Sequence, residues 1–586
     1  LIENKLQALE YLKNKEKFKD TLPITFDFPS EELLLNAKVN FKTEEEYETE
    51  TIYKGIYNLS LKNTEEICKK IKINYRGIDL MQLFYMDLYR FLDVARKHLR
   101  VLEKIKKIEK VKAVRVLRNI SNSNPLEEIY SKIAQEVFKK KIKKITYQEK
   151  NKKMNLIIEI GRFVQRIFSE IKLSLLKEKH NKIFFDDSKT RFESLLIELL
   201  KEKNNKIFRC QDHLQKSFFV NKKYVPFYEF SQEKSEHQKK LFKDIKKFRE
   251  KNKDFLFLDE LGVEDSLKPT IKKWLDYYLE FKFSEISGTI NHIIKLMKKG
   301  EINFIIVFSD SESFDKVFVQ IGKLFKIPSI VVLHGLLGND FSPGFVPLSA
   351  DYILGYGNGS KKRLHSLGIS EKKIILTGSQ QFDKYLNKKI ITRRKKKIVF
   401  IAGYGTKKRA RYTLKILFNA LKKFPKYKLV VKGRKGWEMN NLPKIIAKQE
   451  DFKKVEFIIE TDPIKLLFDA DMVIINSTTM VLDALLLNKP VISIGFKDIG
   501  RFGEHKNSKS IKTVYNQKQL EQAIKECQNQ TEENTKERKK YLEKELFKLD
   551  GKSSERIADF INELIKKSKE KKTENEKNTD NSTFGY

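Results

Sequence analysis

Ile398-Val399-Phe400-Ile401 and Met472-Val473-Ile474-Ile475 are apolar at every position, and the runs at 302–308, 329–333 and 490–494 are nearly so. None of them alternates. A strand with one solvated face alternates apolar and polar side chains, so an unbroken apolar run means that both faces are covered. Stretches with helical spacing lie between them, at 314–325, 412–424, 463–468 and 477–487. Weaker strands at 182–185, 206–210, 428–432 and 454–459 extend the pattern. Doubly buried strands joined by helices predict parallel sheets with helices on both faces, an α/β class.

A chain of 586 residues exceeds what one core encloses, so several domains are expected. A basic hinge at 393–397 splits the alternating region into a lobe at 180–391 and a lobe at 392–566, whose last helix is 554–566. Residues 1–150 read as an accessory region, mostly helical. It has an acidic solvated turn at 44–50 and a helix whose buried face carries Leu83, Leu88, Leu92, Ala95, Leu99 and Leu102. A βαβ-like unit follows, with strands at 111–117 and 142–147 around a helix at 125–139. In the connecting segment 151–179, Ile160, Phe163, Val164, Ile167, Phe168 and Ile171 line one stripe of an amphipathic helix at 154–176, beside Arg162, Arg166 and Lys172. Such a stripe predicts a bridging helix packed on protein, with an interfacial membrane helix as the sharper alternative. The tail at 567–586 is rich in Lys, Glu, Asn, Ser and Thr, and is expected to be disordered.

Composition excludes several function classes. The three cysteines, Cys68, Cys210 and Cys527, form no CxxC spacing, and the eight histidines form no HxxxH. Neither a disulfide framework nor a zinc site is expected, and a reducing compartment fits. The formal charge of +40 is spread through every segment, without an RNP strand, a GXXG loop or a zinc finger, so nucleic acid is not expected as a partner. An anionic membrane surface or an anionic small ligand explains the sign equally well. No apolar run approaches the roughly 20 residues that span a bilayer.

Ligands of open parallel sheets gather at the carboxyl ends of strands, so the turns after them are the candidate sites. After 472–475 come Asn476, Ser477, Thr478 and Thr479, hydroxyl residues suited to a phosphate at a helix start, with Asp483 further on in reach of ribose hydroxyls. Ordinary helix capping explains the same residues. Lys432 and Arg434 flank a glycine after 428–431, two cations suited to a diphosphate. Gly403, Gly405 and Thr406 form a turn after 398–401 where missing side chains let a ligand approach the backbone. His505 follows the strand at 490–494 and is a further candidate for the phosphates. In the preceding lobe His334 ends the strand at 329–333. It is the leading candidate for a base, with turn satisfaction as the plain alternative. Asp310 and Glu312, in the loop after 302–308, are alternative bases or helix caps.

Val331-Val332-Leu333-His334-Gly335, Ser349-Ala350-Asp351, Gly355-Tyr356-Gly357, and Thr377-Gly378-Ser379 with Phe382-Asp383 together resemble the middle of GT-B-type proteins of surface polysaccharide biosynthesis. Ser477-Thr478-Thr479 with Asp483-Ala484 is similar to their donor-lobe signature, and 551–557 resembles their closing helix. The resemblance covers roughly 180–566 and implies two Rossmann-like parallel-sheet lobes facing a cleft, an acceptor lobe at 180–391 and a nucleotide-donor lobe at 392–566. It implies a metal-independent glycosyltransferase without a cofactor, taking a nucleotide-sugar donor and a cell-surface or lipid-linked glycan acceptor. The place implied is the cytoplasm or the inner face of the cell membrane. Teichoic-acid-type polyol-phosphate transfer is the first alternative. UDP-N-acetylglucosamine 2-epimerase chemistry ranks below it, because an acidic residue beside the His turn and an Asp-Ser-Gly-Gly loop are replaced here by His334-Gly335-Leu336 and Asn476-Ser477-Thr478-Thr479. A binding protein that kept the fold without the chemistry is the rival from another class.

Overall fold

The computed structural model describes residues 1–48, 55–119, 129–139, 142–147, 180–186, 192–210, 236–300, 302–310, 312–337, 345–386, 396–402, 407–433, 455–459, 463–476, 478–495 and 508–581. The chain divides into two compact units. One takes Leu1–Val164, Glu229–Ile293 and Glu312–Phe314, and the other takes Gln165–Tyr228, Ile294–Ser311 and Asp315–Tyr586. The amphipathic segment at 154–176 lies outside the described residues.

The first unit is mainly helical, built around Tyr85–Ile108. Leu88, Leu92, Ala95, Leu99 and Leu102 recur at three- and four-residue spacing and are buried as one face. The parallel pair Val114–Asn119 and Ile142–Tyr147 flanks the helix Ile129–Phe138. The helices at 236–293, expected within the lobe at 180–391, belong to this unit instead. Their polar partners explain the placement. Arg96, 1% exposed, donates to Glu264 at 3.1 Å, to Ser60 Oγ at 2.9 Å and to Asn63 Oδ1. A guanidinium buried this deeply is tolerated only when paired. Asn63 Nδ2 donates to Leu261 O at 3.0 Å, and Tyr75 Oη to Asn291 Oδ1 at 2.9 Å. The acidic run is only partly solvated: Glu44–Glu46 forms a capped 3₁₀ turn, and Glu44 is buried.

The second unit holds two six-stranded sheets. The first comprises β1 (Asn181–Asp186), β2 (Asn205–Cys210), β3 (Phe304–Val307), β4 (Ser329–Val332), β5 (Tyr352–Gly355) and β6 (Ile374–Leu376), in the spatial order β2-β1-β3-β4-β5-β6. The second comprises β7 (Lys397–Ile401), β8 (Lys428–Lys432), β9 (Val455–Ile458), β10 (Met472–Ile475), β11 (Val491–Ile494) and β12 (Ile511–Val514), in the order β9-β8-β7-β10-β11-β12. Every neighbouring pair in both sheets is parallel. These are the parallel α/β sheets that the unbroken apolar runs predict, in the two-sheet GT-B-like arrangement that the resemblance implies. β3, β4, β10 and β11 are buried at every residue.

Strand order reverses direction between β1 and β3 in the first sheet, and between β7 and β10 in the second. Ligands of such sheets sit at the carboxyl edge beside a switch point. In the second sheet the register aligns Lys432, Ile401 and Ile475, so the last residues of β8, β7 and β10 stand side by side.

The helix α1 (Glu193–Lys201) follows the segment after β1, α2 (Ser313–Leu324) follows β3, and α3 (Asn358–Ser366) follows β5. The short α4 (Asp383–Leu386) ends the first lobe. In the second lobe α5 (Lys407–Lys422) follows β7, α6 (Pro463–Phe468) precedes β10, and α7 (Met480–Leu486) follows it. After β12 come α8 (Gln517–Cys527), α9 (Glu532–Glu545) and α10 (Ser553–Asn581). α10 returns to the first sheet. Its Ile557, Ala558, Ile561 and Ile565 are buried with Ile183, Phe185 and Leu195. Asp383 fixes its start, accepting from Ser553 N at 3.0 Å and from Ser554 N and Oγ, both at 2.7 Å. α9 is held to α3 by the buried pair Arg363–Glu545, 2.5 Å apart.

The helix expected to end at 566 continues to Asn581. From 554 to 581 the chain has no Gly or Pro, and the i,i+4 pair Glu563–Lys567 bridges its exposed face at 2.5 Å. Low hydrophobicity forbids a core here but does not forbid a helix. No helix among the described residues is long and apolar enough to cross a membrane.

Candidate functional site

The first switch point carries Asp310. It is 1% exposed, and its Oδ2 accepts from the backbone N–H of Ser349 and of Ala350, the latter at 3.2 Å. Its Oδ1 is buried without a hydrogen-bond partner among the described residues. Burial drives the carboxyl pKa up to about 6, against the opposing pull of Lys316 and the two N–H groups. Buried polar atoms are nearly always paired, so this orphaned carboxylate oxygen calls for a donor, which an ordered water or a ligand would supply.

His334 stands beside it at the end of β4, half-buried. Its Nδ1 lies 2.8 Å from Phe308 O, the carbonyl just past β3. A carbonyl only accepts, so the neutral ring carries its proton on Nδ1 and its lone pair on Nε2. This bond satisfies the turn and sets the tautomer of a base at once. Glu312 takes another course. Arg90 grips its carboxylate with two bonds, at 2.6 and 3.1 Å, and both residues belong to the first unit. Of the two acids in that loop, Asp310 alone stays with the second unit.

The next residue, Gly335, meets the other sheet. A methyl group on it would stand 3.1 Å from Thr479 Cγ2, so the His334–Gly335 turn and the turn after β10 approach each other closely. Thr479 is the N-cap residue of α7 and makes no side-chain capping bond. Thr478, buried, accepts from Met480 N only at 3.4 Å. Ordinary capping therefore accounts poorly for these two hydroxyls.

The other donor-side candidates divide. Lys432 is at the second switch region, but its ammonium donates to Gly433 O at 2.8 Å and to Ile459 O, which draws it toward the end of β9. Asp483, one turn into α7, accepts from Tyr385 Oη at 2.9 Å. Gly403, Gly405, Thr406, Arg434, Ser477 and His505 lie outside the described residues. Among the described residues no group of three or more His, Cys, Asp or Glu is arranged to hold a metal ion. The structure thus brings the His334–Gly335 turn to Thr479 and Tyr385 to Asp483, and leaves Asp310 bonded to Ser349 and Ala350 in the loop after β3. Sequence reasoning missed Tyr385, since nothing local connects it to a residue 98 positions away.

Comparison with known proteins gives a family-model match over part of the chain and a set of structures of low identity. No curated protein matches the chain. The UDP-GlcNAc 2-epimerase from Methanocaldococcus jannaschii is 15% identical with a TM-score of 0.42, over 65% of this chain and 99% of that one. The enzyme of that name from Neisseria meningitidis, solved bound to UDP-GlcNAc, is 13% identical with a TM-score of 0.41, over 66% and 99%. A glycosyltransferase from Rickettsia africae is 14% identical with a TM-score of 0.41, over 67% and 100%. Residues 345–562, from just before β5 into α10, match the sequence profile of the UDP-N-acetylglucosamine 2-epimerase family.

Proposed function

We propose that the second unit binds a nucleotide-sugar between its sheets and transfers the sugar to a hydroxyl of a cell-surface or lipid-linked glycan. The observation that carries this reading is the approach of the His334–Gly335 turn to Thr479. It supports a reading in which His334, its tautomer set by the Phe308 carbonyl, acts as a base near the hydroxyls after β10. In this proposal the Thr478 and Thr479 hydroxyls, with Ser477, hold the diphosphate, and Asp483 takes the ribose. The acceptor O–H gives its proton to His334 Nε2 as its oxygen bonds to the anomeric carbon, and the bond from that carbon to the diphosphate breaks. Asp310 Oδ1 receives a hydrogen bond from the incoming sugar. Arg434 and oriented N–H groups offset the charge of the leaving diphosphate without a metal, and Lys432 joins them only if its ammonium leaves the Gly433 and Ile459 carbonyls. The proposal places the protein in the cytoplasm, drawn to the anionic inner membrane face by its net charge.

The family match favours a second reading, inversion at C2 of UDP-N-acetylglucosamine. Against it stand His334-Gly335-Leu336, which puts no acidic residue beside the His turn, and Asn476-Ser477-Thr478-Thr479 in place of Asp-Ser-Gly-Gly. One experiment separates the two. The full chain is incubated in D₂O with UDP-N-acetylglucosamine and other UDP-sugars, with and without oligosaccharide and lipid-linked acceptors. Products are read by mass spectrometry and NMR. Transfer predicts UDP release together with an acceptor heavier by one sugar. Deuterium at C2 without transfer would replace this proposal with epimerisation.

A further inference from the structure

Asp483 is reached from the first lobe. Tyr385 sits on α4, and its ring is buried while its hydroxyl donates to Asp483 Oδ1 at 2.9 Å. α4 is a rigid mount, because its first residue, Asp383, is locked by three hydrogen bonds to the start of α10. Just before it, Gln381 Nε2 donates to Tyr356 Oη at 3.0 Å. α7 is therefore met by the first lobe at two points one turn apart, Thr479 by Gly335 and Asp483 by Tyr385. A carboxylate offers about four acceptor positions, and a fixed phenol on one of them sets the plane and direction of the rest.

We propose that Tyr385 is a positioning residue for nucleotide recognition, its phenol orienting the Asp483 carboxylate toward the ribose hydroxyls when the two lobes are together. The inference rests on the nucleotide reading above and deepens it. Ribose recognition then depends on lobe closure, since a residue of one lobe aims the ribose ligand of the other. A diphosphate lacking the ribose hydroxyls gains nothing from Tyr385.

The test is calorimetric, on the full chain, with UDP and 2′,3′-dideoxyuridine diphosphate as probes. Wild-type protein should prefer UDP by about tenfold or more, the scale of discrimination when hydrogen bonds to a charged group are lost. Tyr385→Phe keeps the ring and removes only the hydroxyl. It should lower UDP affinity by about five- to twentyfold and leave the dideoxy ligand unchanged, so the preference collapses. In an Asp483→Ala background the same substitution should add nothing, because the coupling runs through that carboxylate. If Tyr385→Phe preserves the preference, or weakens both ligands equally, the inference is overturned while the nucleotide reading stands. If wild-type protein binds neither diphosphate, both are overturned.

Discussion

The orphaned oxygen of Asp310 makes a quantitative prediction about stability. The folded-state pKa of about 6 lies above the ordinary 3.8 because burial disfavours the charged carboxylate. The native state thus holds the proton more tightly than the unfolded chain. The stability this contributes is present below pH 3.8 and is lost as pH rises through 6. A shift of about 2 units corresponds to about 3 kcal/mol in full, of which about 2 kcal/mol falls between pH 4.5 and 7.5. Asp310→Asn cannot ionise, and its amide oxygen can still accept from Ser349 N and Ala350 N. Relative to wild type, the variant should therefore gain about 2 kcal/mol in the opening free energy of β3 and β4 on going from pH 4.5 to 7.5. Hydrogen–deuterium exchange of peptides spanning those strands, in the full chain and corrected for intrinsic exchange at each pH, measures it. A variant-minus-wild-type difference that stays constant across that range would refute the argument, because the carboxylate would then be ionised and satisfied in the fold.

Other predictions follow from particular contacts. His334→Ala should lower turnover about 10²–10⁴-fold with little change in donor affinity. Retained turnover with a lowered melting temperature would make it a turn residue only. Glu545→Ala, which removes the carboxylate paired with the buried Arg363 guanidinium, should destabilise the second unit by about 3 kcal/mol in urea titrations that follow α9. Gly357→Ala should also loosen α9, since its methyl would stand 2.7 Å from the Glu545 backbone carbonyl. Unchanged proteolytic protection of 532–545 in that variant would count against the packing described.

The strands that sequence reveals best are those buried on both faces. β7 and β10 show as unbroken apolar runs because nothing solvated interrupts them, and the proposed donor turns follow their ends in the sequence. β12 escaped that reading because it is a sheet edge: only Ile511 and Val514 of its four residues are buried. The helices at 236–293 showed their amphipathic faces but not which core those faces join. Arg96 and Glu264, which decide it, lie 168 residues apart. α10 past 566 was missed because a polar composition argues against a core rather than against a helix. At the site, His334, Thr478, Thr479 and Asp483 were legible as residue types placed after apolar runs. The partnerships were not, since the Phe308 carbonyl that sets the His334 tautomer, the N–H groups of Ser349 and Ala350, and the Tyr385 phenol are all supplied by distant segments.

The account turns on a nucleotide diphosphate being held where β10 ends, beside the second switch point. Calorimetric titration of UDP into wild-type chain and into a Thr478→Val, Thr479→Val double variant tests this most directly, since valine keeps the shape and removes only the two hydroxyls. The account predicts saturable binding to wild type, weakened in the variant by about 1–3 kcal/mol with the fold intact. Equal affinity for the two proteins would contradict it.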